Sequence, residues 1–375
     1  MPNLNLKNFA KIADSNFDIN DITVFTGKPG TGKSYIMKLL YAFDESFHKT
    51  KSEYKTGLEV VKDVLDNYDE FKKNVLPNLS KEQVGEILFD LENYRNIKEK
   101  ISKMEKETEE LIKFSYKNIL ESIFGNLNQI SNKFEITNDF FNLKYDENNL
   151  SVNIITSKQD DWEVPDNVVF VETPLILEFK KFMIRDKGKT PYHIESLLKI
   201  LDKDYSFTDI EQDEFIKSFV SKSKEIINGN IEDSGESFIF QTNDKSFDII
   251  NASSGIKSIG LLQYLVTNKA LNKGSTLYWE EPEVHLHPTW QLKMVELFIE
   301  LMNAGVKIVF STHSPYMADY LNALSKKKGL RDRVSFNLLS EADGVVSNTI
   351  LDGTNWSQLR DELLEPLEEI MWEYL

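Results

Sequence analysis

The 375-residue chain has no cysteine, only five histidines, and neither an internal repeat nor a low-complexity segment. Without cysteine, disulfides and thiolate metal centres are excluded, which suits a reducing compartment. No apolar run approaches the ~18 to 20 residues that cross a bilayer, so no spanning segment and no membrane partner are expected. The opening Met1-Pro2-Asn3-Leu4-Asn5-Leu6-Lys7 lacks the apolar stretch of a secretion signal. A cytoplasmic location is the expectation that follows. Positive charge is also scarce, with 44 basic against 61 acidic residues and a net charge of −17. Such a surface repels nucleic acid as a whole, which makes nucleic acid a disfavoured partner. The composition is otherwise that of an ordinary globular chain, long enough for a large core and for more than one lobe.

What is present begins with a phosphate-gripping loop. Val24-Phe25-Thr26-Gly27-Lys28-Pro29-Gly30-Thr31-Gly32-Lys33-Ser34 fits G-x-x-x-x-G-K-[ST], with an apolar strand before it and the helical Tyr35-Ile36-Met37-Lys38-Leu39-Leu40 after it. Glycines let the backbone wrap closely, so that several N–H groups point at one set of phosphates. Lys33 would reach the β- and γ-phosphates, the Ser34 hydroxyl would help hold Mg²⁺, and the helix N-terminus adds a favourable dipole. The plain alternative is a glycine-rich turn without a ligand.

Three further segments carry chemistry. In Ser275-Thr276-Leu277-Tyr278-Trp279-Glu280-Glu281-Pro282-Glu283 a strand delivers adjacent carboxylates at its C-terminal end. Neighbours on a strand point to opposite sides, so Glu280 would face Mg²⁺ and Glu281 would polarise an attacking water. An acidic strand-to-loop turn is the bland alternative. In Val306-Lys307-Ile308-Val309-Phe310-Ser311-Thr312-His313-Ser314-Pro315 a strand ends in small polar residues and a histidine able to sense a γ-phosphate. A lone strand-end histidine is otherwise structural. Asn251-Ala252-Ser253-Ser254-Gly255-Ile256-Lys257-Ser258 places hydroxyls and a glycine before a helix, either as an anion cradle or as an ordinary N-cap.

The patterning predicts two strands before the loop, over 4–11 and 19–26, and a helix from the loop to about Phe43. Residues 45–125 read as a helical insert, with a capping box at Ser80 and Gln83 and an apolar stripe through Tyr94, Ile97, Ile101, Met104, Leu111 and Ile112. Residues 133–156 alternate as an antiparallel meander, Val168–Val171 is a short buried strand, 191–229 is helical, and 237–250 is a hairpin. From Asn251 onward helices and strands alternate, which implies a mostly parallel sheet with its ligand at the strands' C-terminal ends. A hairpin over 334–351 and a helix from Trp356 to Leu375 follow. The expected organisation is an α/β head over 1–44 and 126–354, the insert over 45–125, and a terminal helix over 355–375.

The order of these motifs resembles the ABC-type ATPase head. The run Glu280-Glu281-Pro282-Glu283-Val284-His285-Leu286-His287-Pro288 is similar to the E-E-P-E-x-H-L-H-P of OLD-like, AAA-domain ATPases, cousins of the SMC and RecF proteins. Ser311-Thr312-His313-Ser314-Pro315 is similar to their S-T-H-S-P. The resemblance covers residues 1–44 and 237–320 and implies a P-loop ABC-type fold that binds and hydrolyses ATP with Mg²⁺. It implies that Lys33 and Ser34 bind phosphate and metal, that Glu280 holds metal, that Glu281 is the catalytic base and that His313 is the switch histidine. Ser253, Ser254 and Gly255 then form a signature that reaches ATP on a second subunit, which makes a homodimer the minimal unit. Ile256 departs from the polar residue usual after the signature glycine, and no glutamine stands out for a Q-loop, Gln129 and Gln159 being candidates with little to recommend them. His285 and His287 lack a third well-placed ligand, and Phe9 is better read as core than as an adenine contact.

OLD-like nucleases carry a metal-dependent domain after the head, but only 62 residues follow His313 in the 375-residue chain. An effector acting in trans, such as a nuclease or a toxin, is therefore expected, as in ATPase partners of bacterial anti-phage defence. The rivals are a RecF-like repair ATPase, a transporter subunit, and a scaffold that binds ATP without turning it over.

Overall fold

The computed structural model describes residues 4–50, 110–138, 141–147, 149–154, 164–180, 190–202 and 213–364. Eleven strands form one mixed sheet. They are β1 (Leu4–Phe9), β2 (Ile12–Phe17), β3 (Ile22–Gly27), β4 (Lys133–Thr137), β5 (Phe141–Asp146), β6 (Asn149–Ile154) and β7 (Val168–Val171), with β11 (Thr276–Glu280), β12 (Lys307–Thr312), β13 (Val334–Ala342) and β14 (Val345–Ile350). Their spatial order is β6-β5-β4-β1-β2-β14-β13-β3-β12-β11-β7. From β13 to β7 every neighbouring pair is parallel, whereas β6 through β2 is an antiparallel ribbon. A second sheet holds β8 (Asn230–Asp233), β9 (Phe238–Gln241) and β10 (Ser246–Asp248).

Helices cover both faces of the parallel half, as a sheet without a wet side requires. Residues 33–50 form α1 and 110–124 form α2. Their apolar sides meet the face that carries Phe25, Phe170, Tyr278 and Val309. The opposite face presents Val24, Val171, Leu277, Trp279, Ile308 and Phe310. It is covered by α3 (Tyr192–Leu201), α4 (Glu214–Ile227), α5 (Ser254–Thr267), α6 (Pro288–Asn303) and α7 (Pro315–Lys328). Residues 357–364 form α8. The period-two alternation of each buried strand thus supplies two cores at once.

The meander, both hairpins and the helix–strand alternation after Asn251 stand as the sequence implies. Two local expectations are corrected. The strand expected over 4–11 stands as β1 but ends at Phe9, where Asn8 and Ala10, at left-handed φ angles of 56° and 51°, turn the chain into an additional strand, β2. The helix after the loop runs past Phe43 through residue 50. The polar Asp44 and Glu45 are buried there rather than solvated, since the Tyr278 hydroxyl donates to Asp44 at 2.8 Å and the Tyr192 hydroxyl to Glu45 at 2.7 Å. This helix therefore crosses position 44, where head and insert were expected to divide. The insert's residues 51–109, with Ser80, Gln83 and the stripe from Tyr94 to Met104, lie outside the described residues, as does the terminal helix beyond 364.

Trp279 is buried on β11, with its ring 6.2 Å from that of Phe298 on α6 and one residue before the paired carboxylates. Trp279→Ala is expected to cost about 3–5 kcal/mol, as large-to-small changes at buried aromatics do. Chemical denaturation checks this as a lowered midpoint at unchanged slope.

Candidate nucleotide site

The register of three parallel strands assembles the site. Thr312 of β12 pairs with Thr26 of β3, and Ser311 pairs with Glu280 of β11. Their C-terminal ends therefore bring the loop after Gly27, the pair Glu280-Glu281 and His313 to one edge of the sheet. Gly27 is needed at its place, because its φ is +130° and a Cβ there would stand 2.0 Å from the carbonyl oxygen of Leu339 on β13. A cavity of about 400 Å³ opens over this edge. It is lined by the phosphate loop from Pro29 to Ser34, by Glu281 and His313, by Tyr35, and by the β1–β2 turn at Ala10, Lys11 and Ile12.

Lys33 lies nearly buried at the floor of the loop. Its ammonium donates to the carbonyls of Gly27 at 3.0 Å and Lys28 at 2.8 Å and to the Thr31 hydroxyl at 3.3 Å. Burial lowers its pKa to about 8, against the charges of Glu281 and Glu283, which favour the ammonium. The loop thus holds a desolvated cation on its own carbonyls, in the place where an anion would be welcome.

The carboxylates divide their roles. Glu280 is largely buried, accepts a hydrogen bond from the Ser34 hydroxyl, and is pushed up to about 6, chiefly by desolvation. Its Oε1 is a buried oxygen without a hydrogen-bond partner, 3.6 Å from the Lys38 ammonium. A buried, unsatisfied carboxylate oxygen beside a serine hydroxyl is a donor set that fits a hard cation such as Mg²⁺. Glu281 turns away into the cavity. Its φ of 46° is uncommon for a residue with a side chain, and the Ser311 carbonyl and hydroxyl hold its N–H at 3.1 and 3.2 Å. The Glu281 carboxylate lies 3.3 Å from His313 Nε2. The imidazole pKa is lowered by burial and by the Lys33 charge, against Glu281 and a hydrogen bond with the Gly27 backbone.

Several contributors are absent from the sequence reading. Glu283 accepts the His313 N–H at 2.6 Å, and burial raises its own pKa. Lys38, one helical turn after Ser34, donates to Glu172 at 2.9 Å just past the end of β7. Glu172 also meets His193 Nε2 at 2.8 Å, and these two contacts bring its carboxyl down to about 2. Glu172 follows the strand beside β11, whereas Gln129 is exposed on a short helix away from the cavity and Gln159 lies outside the described residues. Acidic and basic residues 134 positions apart leave no local pattern from which to find this network.

Ser253, Ser254 and Gly255 are not among the residues that line the cavity. Ser253 caps α5 through the Ile256 N–H, and a Cβ at Gly255 would touch the Trp290 ring at 3.2 Å. His287 caps α6 through the Thr289 N–H, and Phe9 is fully buried in the core. Among the described residues no group of three or more His, Asp or Glu side chains is placed to hold a metal ion, and no helix is long and apolar enough to cross a membrane.

The family model described as "AAA domain, putative AbiEii toxin, Type IV TA system" matches residues 22–319. No curated protein matches the chain in sequence. Among solved structures the chain is similar to an Smc head bound to the C-winged helix domain of ScpA, at 11% identity and a TM-score of 0.48, covering 95% of this chain and 98% of that one. It is similar to the SMC head domain from Thermotoga maritima, at 10% identity, a TM-score of 0.44, and 94% and 98% coverage. A Smc head with an extended coiled coil, bound to the C-terminal domain of ScpA derived from Pyrococcus furiosus, shows 12% identity, a TM-score of 0.44 and 98% coverage of each chain.

The depressed Lys33 pKa sets a pH dependence. A bound phosphate favours the ammonium and raises that pKa above its free value of about 8. Lys33's contribution to phosphate affinity is therefore full below about pH 8 and lost as pH rises toward the bound value. The affinity should fall by up to about tenfold per pH unit there. Titration calorimetry at pH 8 in buffers of different ionisation enthalpy should show proton uptake that Lys33→Met abolishes.

Proposed function

The chain belongs to the AAA-domain family, and we propose that it binds ATP in the cavity above Gly27–Ser34 and hydrolyses it as a switch for a separate protein. The convergence of Lys33, Ser34, Glu280, Glu281 and His313 on one sheet edge carries this reading. Lys33 exchanges the Gly27 and Lys28 carbonyls for β- and γ-phosphate oxygens, while the loop N–H groups hold the remaining oxygens. Ser34 and Glu280 would hold Mg²⁺, which when bound neutralises charge on the phosphates. Glu281 accepts the proton of the attacking water at its exposed carboxylate. His313, fixed by Glu283 through its backbone N–H, donates to the γ-phosphate and reports its loss.

A cavity formed by one chain leaves Ser253, Ser254 and Gly255 without a role at the phosphates. In the proposed homodimer they would close over ATP held by the partner subunit, so ATP joins two heads and hydrolysis separates them. The family's description names a putative toxin of a type IV toxin–antitoxin system, which supports an output exerted through or against another protein. Bacterial anti-phage defence is the setting we propose, with a nuclease or toxin as the effector.

Glu281→Gln is expected to lower turnover by about 10²- to 10⁴-fold, the range lost with a general base. It should leave ATP-dependent dimers intact in size-exclusion chromatography. Wild-type protein with no measurable turnover, with or without co-purifying partners, sinks the enzyme reading. Hydrolysis stimulated by DNA would favour a repair ATPase of the RecF kind instead.

A further inference from the structure

The phosphate loop, Glu281 and His313 are accounted for in the lining of the cavity, but Tyr35 and the β1–β2 turn at Ala10, Lys11 and Ile12, which also line it, are not. Tyr35 is 41% exposed in the first turn of α1, between half-buried Ser34 and buried Ile36. Its ring is not loose. The ring of Phe9 meets it edge-on at 6.3 Å and 63°, and that of Phe124 at 5.5 Å and 85°. Phe124 closes α2, and Phe9 is fully buried against Phe134, with ring centroids 5.1 Å apart. Two edge contacts fix the plane of the ring and leave the rest of it to the cavity.

The β1–β2 turn in the same lining is equally fixed. Asn8 and Ala10 are held at left-handed φ angles that residues with side chains rarely adopt, and the Lys11 ammonium is tied to both Glu341 oxygens at 2.9 and 2.8 Å. Ile12 is buried, and its Cδ1 would lie 3.9 Å from a Cβ at Gly32, so the turn rests directly on the phosphate loop. An aromatic face and an aliphatic turn, one short step from Lys33 and Ser34, form a slot for a flat ring joined to a phosphate chain.

We propose that Tyr35 is the residue on which the nucleobase stacks, so that the site takes nucleoside triphosphates by their base as well as by their phosphates. This rests on the assignment of the phosphate loop. Stacking is the interaction this geometry offers, because the ring is pre-oriented and needs little ordering on binding. Phe9 then contributes indirectly, as a buried prop for Tyr35.

The test is calorimetric binding of ATP and of inorganic tripolyphosphate to the full chain as wild type, Tyr35→Phe, Tyr35→Ala and Lys33→Met. Tyr35→Ala should weaken ATP by at least tenfold, within the range that base–aromatic stacking supports. It should leave tripolyphosphate within twofold of wild type, which also shows that the variant is folded. Tyr35→Phe should bind ATP within twofold of wild type, since the ring face and not the hydroxyl does the stacking. Lys33→Met should lose both ligands. Tyr35→Ala binding ATP as wild type does, or weakening both ligands alike, overturns the proposal while the loss in Lys33→Met keeps the phosphate-loop assignment. Wild type that binds neither ligand overturns both.

Discussion

The site depends on the parallel register of β3, β12 and β11. Each step of that register fixes where one strand ends relative to its neighbour. Thr312 beside Thr26 puts His313 against the phosphate loop, and Ser311 beside Glu280 puts the carboxylates against His313. A slip of one residue would turn every side chain of a strand to the other face. It would exchange Trp279 for Tyr278 in the core and swing Glu280 and Glu281 through each other's positions. The two apolar faces forbid that slip, because each is already filled by its own helices. Core packing on both sides of the sheet is what holds the reactive edge to ångström accuracy.

The site's backbone is strained where its chemistry is concentrated. Glu281 and His285 both carry positive φ angles, within five residues of the end of β11. The Glu281 N–H is secured twice on Ser311, while Glu283 reaches across to the His313 N–H. These cross-links tie the loop after β11 to the loop after β12, so the two cannot move independently. Such over-determination lets sparsely populated backbone states persist. It also couples the His313 backbone to the loop that carries Val284, His285 and His287, all exposed.

Much of this was legible in the sequence because it is local. The phosphate loop, the carboxylates that end β11 and the Ser311–His313 step are each written within a few residues, and the strand–helix alternation around them fixes the parallel sheet. What was not legible is either hidden locally or carried over long separations. The break between β1 and β2 uses Asn8 and Ala10 rather than glycine or proline, so no turn signal marks it. The extension of α1 is disguised by Asp44, Glu45 and Ser46, whose polarity suggests solvent although two tyrosine hydroxyls and the Phe43 carbonyl bond them in the core. The Lys38–Glu172–His193 network joins elements whose adjacency follows only from β7 lying beside β11. Phe9 is core, as its place on the first strand suggests, and its neighbour in space, Tyr35, is the ring that lines the cavity.

Charge gives the last constraint. Four carboxylates, Glu172, Glu280, Glu281 and Glu283, surround the ends of β7, β11 and β12, and two ammoniums, Lys33 and Lys38, stand among them. An acidic edge of this kind would repel a polyphosphate if the charges acted alone. The chain already relieves part of the excess by burial, which raises the pKa values of Glu280 and Glu283, and spends Lys38 on Glu172 and Glu280. Lys33, Lys28, the loop N–H groups and the N-terminus of α1 are then the attractive groups for phosphate. The same carboxylates that oppose a bare polyphosphate favour one accompanied by a divalent cation. In the proposed reading, Glu280 beside Ser34 would favour the metal complex over the free nucleotide.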